Sequence, residues 1–129
     1  MGVSLGDERG SAVAEFTLVG VLLVALALAV VQLALSLHVR NTLLDAAAEG
    51  ARFASLAGSS PAEGVERTRD LIDAAIASSY ADDVSASRVT LAGVDTVEIT
   101  VRATLPVIGL IGVPNGLEVE GHAPIEAID

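Results

Sequence analysis

Residues 16–37 read FTLVGVLLVALALAVVQLALSL, 22 residues without a charge. As a helix this stretch is about 33 Å long at about 1.5 Å per residue, enough to cross a hydrocarbon core of about 30 Å. Its polar members, Thr17, Gln32 and Ser36, are few, and backbone or a neighbouring helix can satisfy them. A buried helix of a water-soluble fold would need apolar partners on every side. The rest of the chain is too acidic and too poor in large side chains to supply them. The stretch therefore reads as a membrane span.

Nothing stops the helix where the span ends. No proline or glycine lies between Val21 and Asp45, and HVRNTLLDAAAEGARFASLAG continues with good helix formers. The apolar positions contract to a stripe, Val39, Leu43, Ala46, Ala47, Gly50, Ala54 and Ala57, close to helical spacing. Glu49 and Arg52, three apart, can pair on the opposite face. Gly58-Ser59-Ser60-Pro61 is the expected stop. One helix of about 45 residues, half in lipid and half outside, follows from helical spacing and the missing breakers.

Beyond it, Ser60 can cap a second helix with Pro61 at its first position and Glu63 at capping-box spacing. Val65, Thr68, Ile72, Ala75, Ile76 and Ser79 form its expected inner face. Glu63–Arg67 and Arg69–Asp73 are expected as i,i+4 pairs, and Tyr80 to Asp83 as its close. The period then becomes two. Arg88 to Leu91 is a short strand, and Gly93-Val94-Asp95 a turn. Thr96 to Leu105 alternates, with Val97, Ile99, Val101, Ala103 and Leu105 on one face. Pro106 ends it, Val107 to Val113 connects, Pro114-Asn115-Gly116 turns, and Leu117 to Ile125 alternates again. The fold class is α+β: a long first helix, a second helix, and a three-stranded antiparallel meander wet on one side.

Composition narrows the function. The 129 residues contain no cysteine, which excludes disulfides, thiolate metal sites and cysteine nucleophiles. Seven arginines and no lysine face seventeen carboxylates, a net charge of −10 that phosphate backbones repel, so no nucleic acid partner is expected. The two histidines, His38 and His122, have no neighbouring ligand spacing, and no metal or cofactor is expected. No nucleophile elbow or phosphate loop is present: Gly58-Ser59-Ser60 reads as turn and cap, and Gly109-Leu110-Ile111-Gly112 lacks strand–glycine–helix context. Asp82-Asp83 reads as a solvated pair at a helix end. No residue set points to an enzyme.

Before the span stands Gly10-Ser11-Ala12-Val13-Ala14-Glu15-Phe16. A carboxylate within lipid costs about 2.5–3.5 kcal/mol. Glu15 either marks the headgroup boundary, near the positive end of the helix dipole, or has a partner. If the chain is cut after Gly10, Glu15 becomes the fifth residue, and the new α-amine of a neighbouring subunit could neutralise it. Glycine, four residues, glutamate and an uninterrupted apolar helix resembles the class III leader of type IV pilins and pseudopilins. Val39-Arg40-Asn41-Thr42-Leu43, then Asp45-Ala46-Ala47-Ala48-Glu49-Gly50-Ala51-Arg52-Phe53-Ala54, is similar to the TadE-like pseudopilins of the Tad (tight adherence) pilus system. The resemblance covers residues 9–57; the tail matches only in layout. The leader departs from the usual basic pattern in carrying Asp7 and Glu8 beside Arg9, and Phe16 stands where the major pilins often have tyrosine. The residues after Gly58 make the chain longer than those pilins, as suits a minor subunit.

The resemblance implies a leader over residues 1–10, cleaved by a prepilin peptidase between Gly10 and Ser11. It implies a transmembrane helix over 11–38, its membrane-distal half over 39–58, and a small extracytoplasmic α+β domain over 59–129. Glu15 and Phe16 would serve subunit assembly, and Glu49, Gly50, Ala51 and Arg52 form the family-like segment. Implied partners are membrane lipid, other pilins and pseudopilins, and the assembly platform with its ATPase. Gly20 and the alanines at 25, 27 and 29 would let helices approach within lipid. Two other functions fit the span: a single-pass anchored binding module, or a secreted protein cut near Ala34-Leu35-Ser36, for which a 22-residue apolar run is long. The mature N-terminus, Ser11, Met1 or Leu37, separates the three.

Overall fold

The computed structural model describes residues 5–105 and 113–126. Among these the elements run α1 (Leu5–Ser55), α2 (Pro61–Ala75), a 3-10 turn (Ser78–Ala81), β1 (Asp83–Leu91), β2 (Val94–Leu105) and β3 (Val113–Pro124). The chain divides into two compact units, Met1–Ala34 and Leu35–Asp129.

The first unit contributes the apolar part of α1. Thirteen large apolar side chains from Val13 to Leu33 are 49–79% exposed, on every side of the helix. That much uncovered apolar surface would cost on the order of 25 cal/mol per Å² in water, and it is stable only in an apolar surrounding. The helix is long and apolar enough to cross a membrane.

In the second unit α1 becomes one-sided. Val39, Leu43, Ala46, Ala47, Gly50, Ala51 and Ala54 are buried, and Ala57, past the helix end, is exposed. The helix ends at Ser55 because the backbone reverses at Gly58, whose φ of +86° suits a residue without a Cβ. Ser60 then starts α2 with a complete capping box: its side chain accepts from the Glu63 N–H at 3.3 Å, and the Glu63 carboxylate accepts from the Ser60 N–H at 2.8 Å.

Three expectations for α2 are corrected. The Glu63 carboxylate bonds the cap, and Arg69 pairs with Glu66 at 3.3 Å, three residues apart, instead of with Asp73. The helix closes at Ala75, before Tyr80; two serines of poor helix propensity then enter the 3-10 turn. Its inner face is Gly64, Thr68 and Ile72, with Val65 and Ile76 half-buried and Ala75 and Ser79 exposed.

The sheet is antiparallel in the order β1-β2-β3. Every strand is longer than alternation alone indicated. Strand β1 begins at Asp83 because pairing with β2 recruits the polar Ser85 and Ser87, whose backbones bond whatever their side chains are. The β1–β2 turn is Ala92-Gly93, not Gly93-Val94-Asp95; Leu91 and Val94 pair across a two-residue loop with φ of 51° and 82°. Pro114-Asn115-Gly116 belongs to β3, whose pairing with β2 shifts register between Ala103 and Leu105. The expected end at Pro106 and most of the Val107–Val113 connection lie outside the described residues.

Val97, Ile99, Val101 and Ala103 of β2 join Leu43, Ile72, Leu117 and Val119 in the core. Few of these are large, so the elements must come close. Gly121 of β3 lies on the α1 backbone at Ala47 and Ala48, where a Cβ would collide with main-chain atoms. The segment after β3 then ties off α1: Glu126 N–H donates to Ser55 C=O at 2.9 Å, and the Ala57 N–H donates to the Glu126 carboxylate at 3.2 Å. The opposite face of β2 is less wet than alternation suggests, since Thr96 and Thr100 are buried there at the centre of three strands.

Candidate functional site on the first helix

The residues that the sequence marks for processing and assembly all fall on α1. Gly10, Ser11, Glu15 and Phe16 lie within its first turns and are exposed. A Cβ on Gly10 would meet nothing within 4 Å, so the helix itself does not require glycine there. Phe16, at 79%, is the most exposed large apolar residue described. With Thr17, Gly20, Val21 and Val24 it borders a shallow apolar depression over Gly20, where the missing side chain leaves room. Glu15 is the last carboxylate before the apolar run and stands one residue from that depression. The arrangement can offer an apolar, glycine-notched surface to a second helix and a negative charge at its rim. Its chemistry is packing and charge pairing.

The second family-like segment lies inside the chain's own fold. Helix α2 crosses α1 at Gly50: a Cβ there would overlap the Thr68 side chain and stand 2.7 Å from Gly64 C=O. Gly64 is the reciprocal position, where a Cβ would stand 2.8 Å from Gly50 C=O and 2.5 Å from the Ala54 Cβ. Thr68, fully buried at the crossing, donates its hydroxyl to Gly64 C=O at 2.8 Å, so no polar group is stranded. Ala51 is fully buried, while Glu49 and Arg52 face outward and pair at 3.1 Å. Glu49-Gly50-Ala51-Arg52 thus places two buried small residues between two outward charges: Gly50 seats α2, Ala51 joins the core, and the flanking charges pair on the outside.

The sequence marks Gly121 only as one of the alternating positions of the last strand, without its close approach to α1, and gives Gly64 no role. Gly64, on an amphipathic helix, is a breaker unless a close crossing requires it, which was the available signal. His122 also gains a partner: it stands opposite Glu98 in register, with Nε2 2.8 Å from the carboxylate. His38 is exposed on α1, its carbonyl accepting from the Thr42 hydroxyl at 2.9 Å.

Residues 10–52 match the family described as TadE-like protein. The match begins at the glycine of the leader-like junction and ends at Arg52, two residues past Gly50 at the α2 crossing, so this part of α1 is similar to TadE-like proteins. No curated protein and no solved structure matches the chain.

Proposed function

We propose that the chain is a minor pilin of a Tad pilus, a structural subunit without catalysis. It is inserted in the cytoplasmic membrane by α1, is cut between Gly10 and Ser11 by a prepilin peptidase, and contributes to pilus assembly or initiation. The observation that carries this reading is the coincidence of three features on one helix. The TadE-like match starts at Gly10, Glu15 follows at leader spacing, and the apolar surface from Phe16 onward has no partner within its own unit. In this reading residues 59–129 lie on the extracytoplasmic side. Other pilins, pseudopilins and the assembly platform are the partners, met through the first unit because Gly50 and Ala51 are occupied within the chain.

Charge pairing at Glu15 tests the assembly role. If the α-amine of a neighbouring mature subunit pairs with it, Glu15→Gln leaves that amine uncompensated in a low-dielectric bundle, at a cost of about 3–5 kcal/mol. The variant should insert and mature normally, yet co-purify poorly with its pilus partners at equal membrane level. Equal recovery would make Glu15 a headgroup-boundary residue and favour an anchored module that does not polymerise.

A further inference from the structure

The open face of the sheet carries an uneven set of charges. Register places Asp83 of β1, Glu98 and Arg102 of β2, and Glu118, Glu120 and His122 of β3 on that face. Arg102 lies between Asp83 and Glu118 and pairs with Glu118 at 3.3 Å. Glu98 and Glu120 therefore have no guanidinium among the described residues. Both converge on the imidazole of His122, at 2.8 Å from Glu98 and 3.9 Å from Glu120, all to Nε2. One donor atom from each of the three lies within 4.8 Å of the others.

Beneath them is Thr100, directly opposite Glu120 and two residues from Glu98 on the same face. It is 7% exposed, and its hydroxyl has no hydrogen-bond partner among the described residues. Among the described residues no fully buried side-chain oxygen is left without a partner, so this hydroxyl keeps some access to solvent. Two carboxylates, one imidazole and an unpaired hydroxyl on two neighbouring cross-strand pairs of one face are more than a solvated acidic patch.

We propose that Glu98, Glu120 and His122 bind a divalent transition-metal ion of the zinc type, with Thr100 forming the floor of the site. Ligand bonds of about 2.0–2.2 Å put neighbouring donors a little over 3 Å apart, which small rotations of exposed side chains achieve from the observed spacing. Binding would displace the proton that Nε2 shares with Glu98, leaving the remaining imidazole proton on Nδ1 and the Nε2 lone pair turned to the metal. The two carboxylates balance the charge of the ion. An imidazole donor favours zinc-type ions over magnesium or calcium, which take oxygen ligands. Three protein ligands leave a fourth position for water, within reach of the Thr100 hydroxyl. Because the ligands join β2 to β3, occupancy would clamp that pair.

The test uses the full chain in detergent, free of any purification tag and stripped of metal. Zinc chloride is titrated against a fluorescent zinc chelator, with wild type compared to His122→Ala, Glu98→Gln and His38→Ala. One zinc per chain is expected, weakened at least tenfold by His122→Ala and by Glu98→Gln and unchanged by His38→Ala. Histidine NMR should show zinc moving the Nε2 resonance of His122 and leaving that of His38. Absence of saturable uptake by wild type, uptake that His122→Ala leaves unchanged, or displacement of zinc by equimolar calcium would each overturn the site. Circular dichroism confirms that the variants are folded.

Discussion

Single residues fix how near the backbones come. Ala92 occupies φ of 51° in the β1–β2 turn, a conformation that costs a residue with a Cβ on the order of 1 kcal/mol and that asparagine tolerates better. Ala92→Asn should therefore raise the thermal midpoint of the full chain in detergent, by about 0.5–1 kcal/mol of stability. An unchanged or lower midpoint would mean that the turn is not in this conformation. Gly121 makes the opposite case: its neighbours are α1 main chain, which cannot move aside as a flexible side chain would. Gly121→Ala should destabilise by about 1–3 kcal/mol, read as a lower midpoint in the same measurement. A neutral result would mean that β3 does not lie so close to α1. Neither requirement was legible in sequence. Gly121 alternates with apolar residues as any inward strand position does, and the hairpin could be drawn one or two residues later without violating alternation.

Among the elements, the beginnings of helices were legible and the extents of strands were not. Ser60, Pro61 and Glu63 carry a local signal, and the structure forms that cap atom for atom. Strand β1 depends on a partner: Ser85 and Ser87 have no apolar period and join the ladder only because β2 pairs with them. The α1–α2 crossing is likewise tertiary, since Gly50 and Gly64 require each other and lie in different helices. The open-face cluster was hidden because Glu98 and His122 meet only when β2 and β3 are in register. The cap gives a clean test at this scale. Ser60→Ala removes the acceptor for the Glu63 N–H and should cost about 1 kcal/mol, lowering the midpoint by roughly 4–8 °C for a unit of this size. No change would show that α2 is held by its packing alone, whatever its cap.

In the whole molecule, one helix serves two surroundings. Its apolar length from Phe16 was legible in composition alone, because no distribution of the acidic remainder could cover it. The stripe of small residues from Val39 to Ala54 was legible as a buried face, and the structure identifies what covers it: α2 and the sheet of the same chain. The TadE-like match takes in the apolar length and the stripe as far as Arg52. The account of this chain as a pilus subunit rests on its maturation, and the N-terminus of the membrane-extracted protein, from cells that make the prepilin peptidase, tests it most directly. Intact-mass measurement should find a chain beginning at Ser11, and replacing Gly10 with a bulky residue should leave the longer precursor. A wild-type chain that keeps residues 1–10 in those cells, or one that begins at Leu37, would contradict the account.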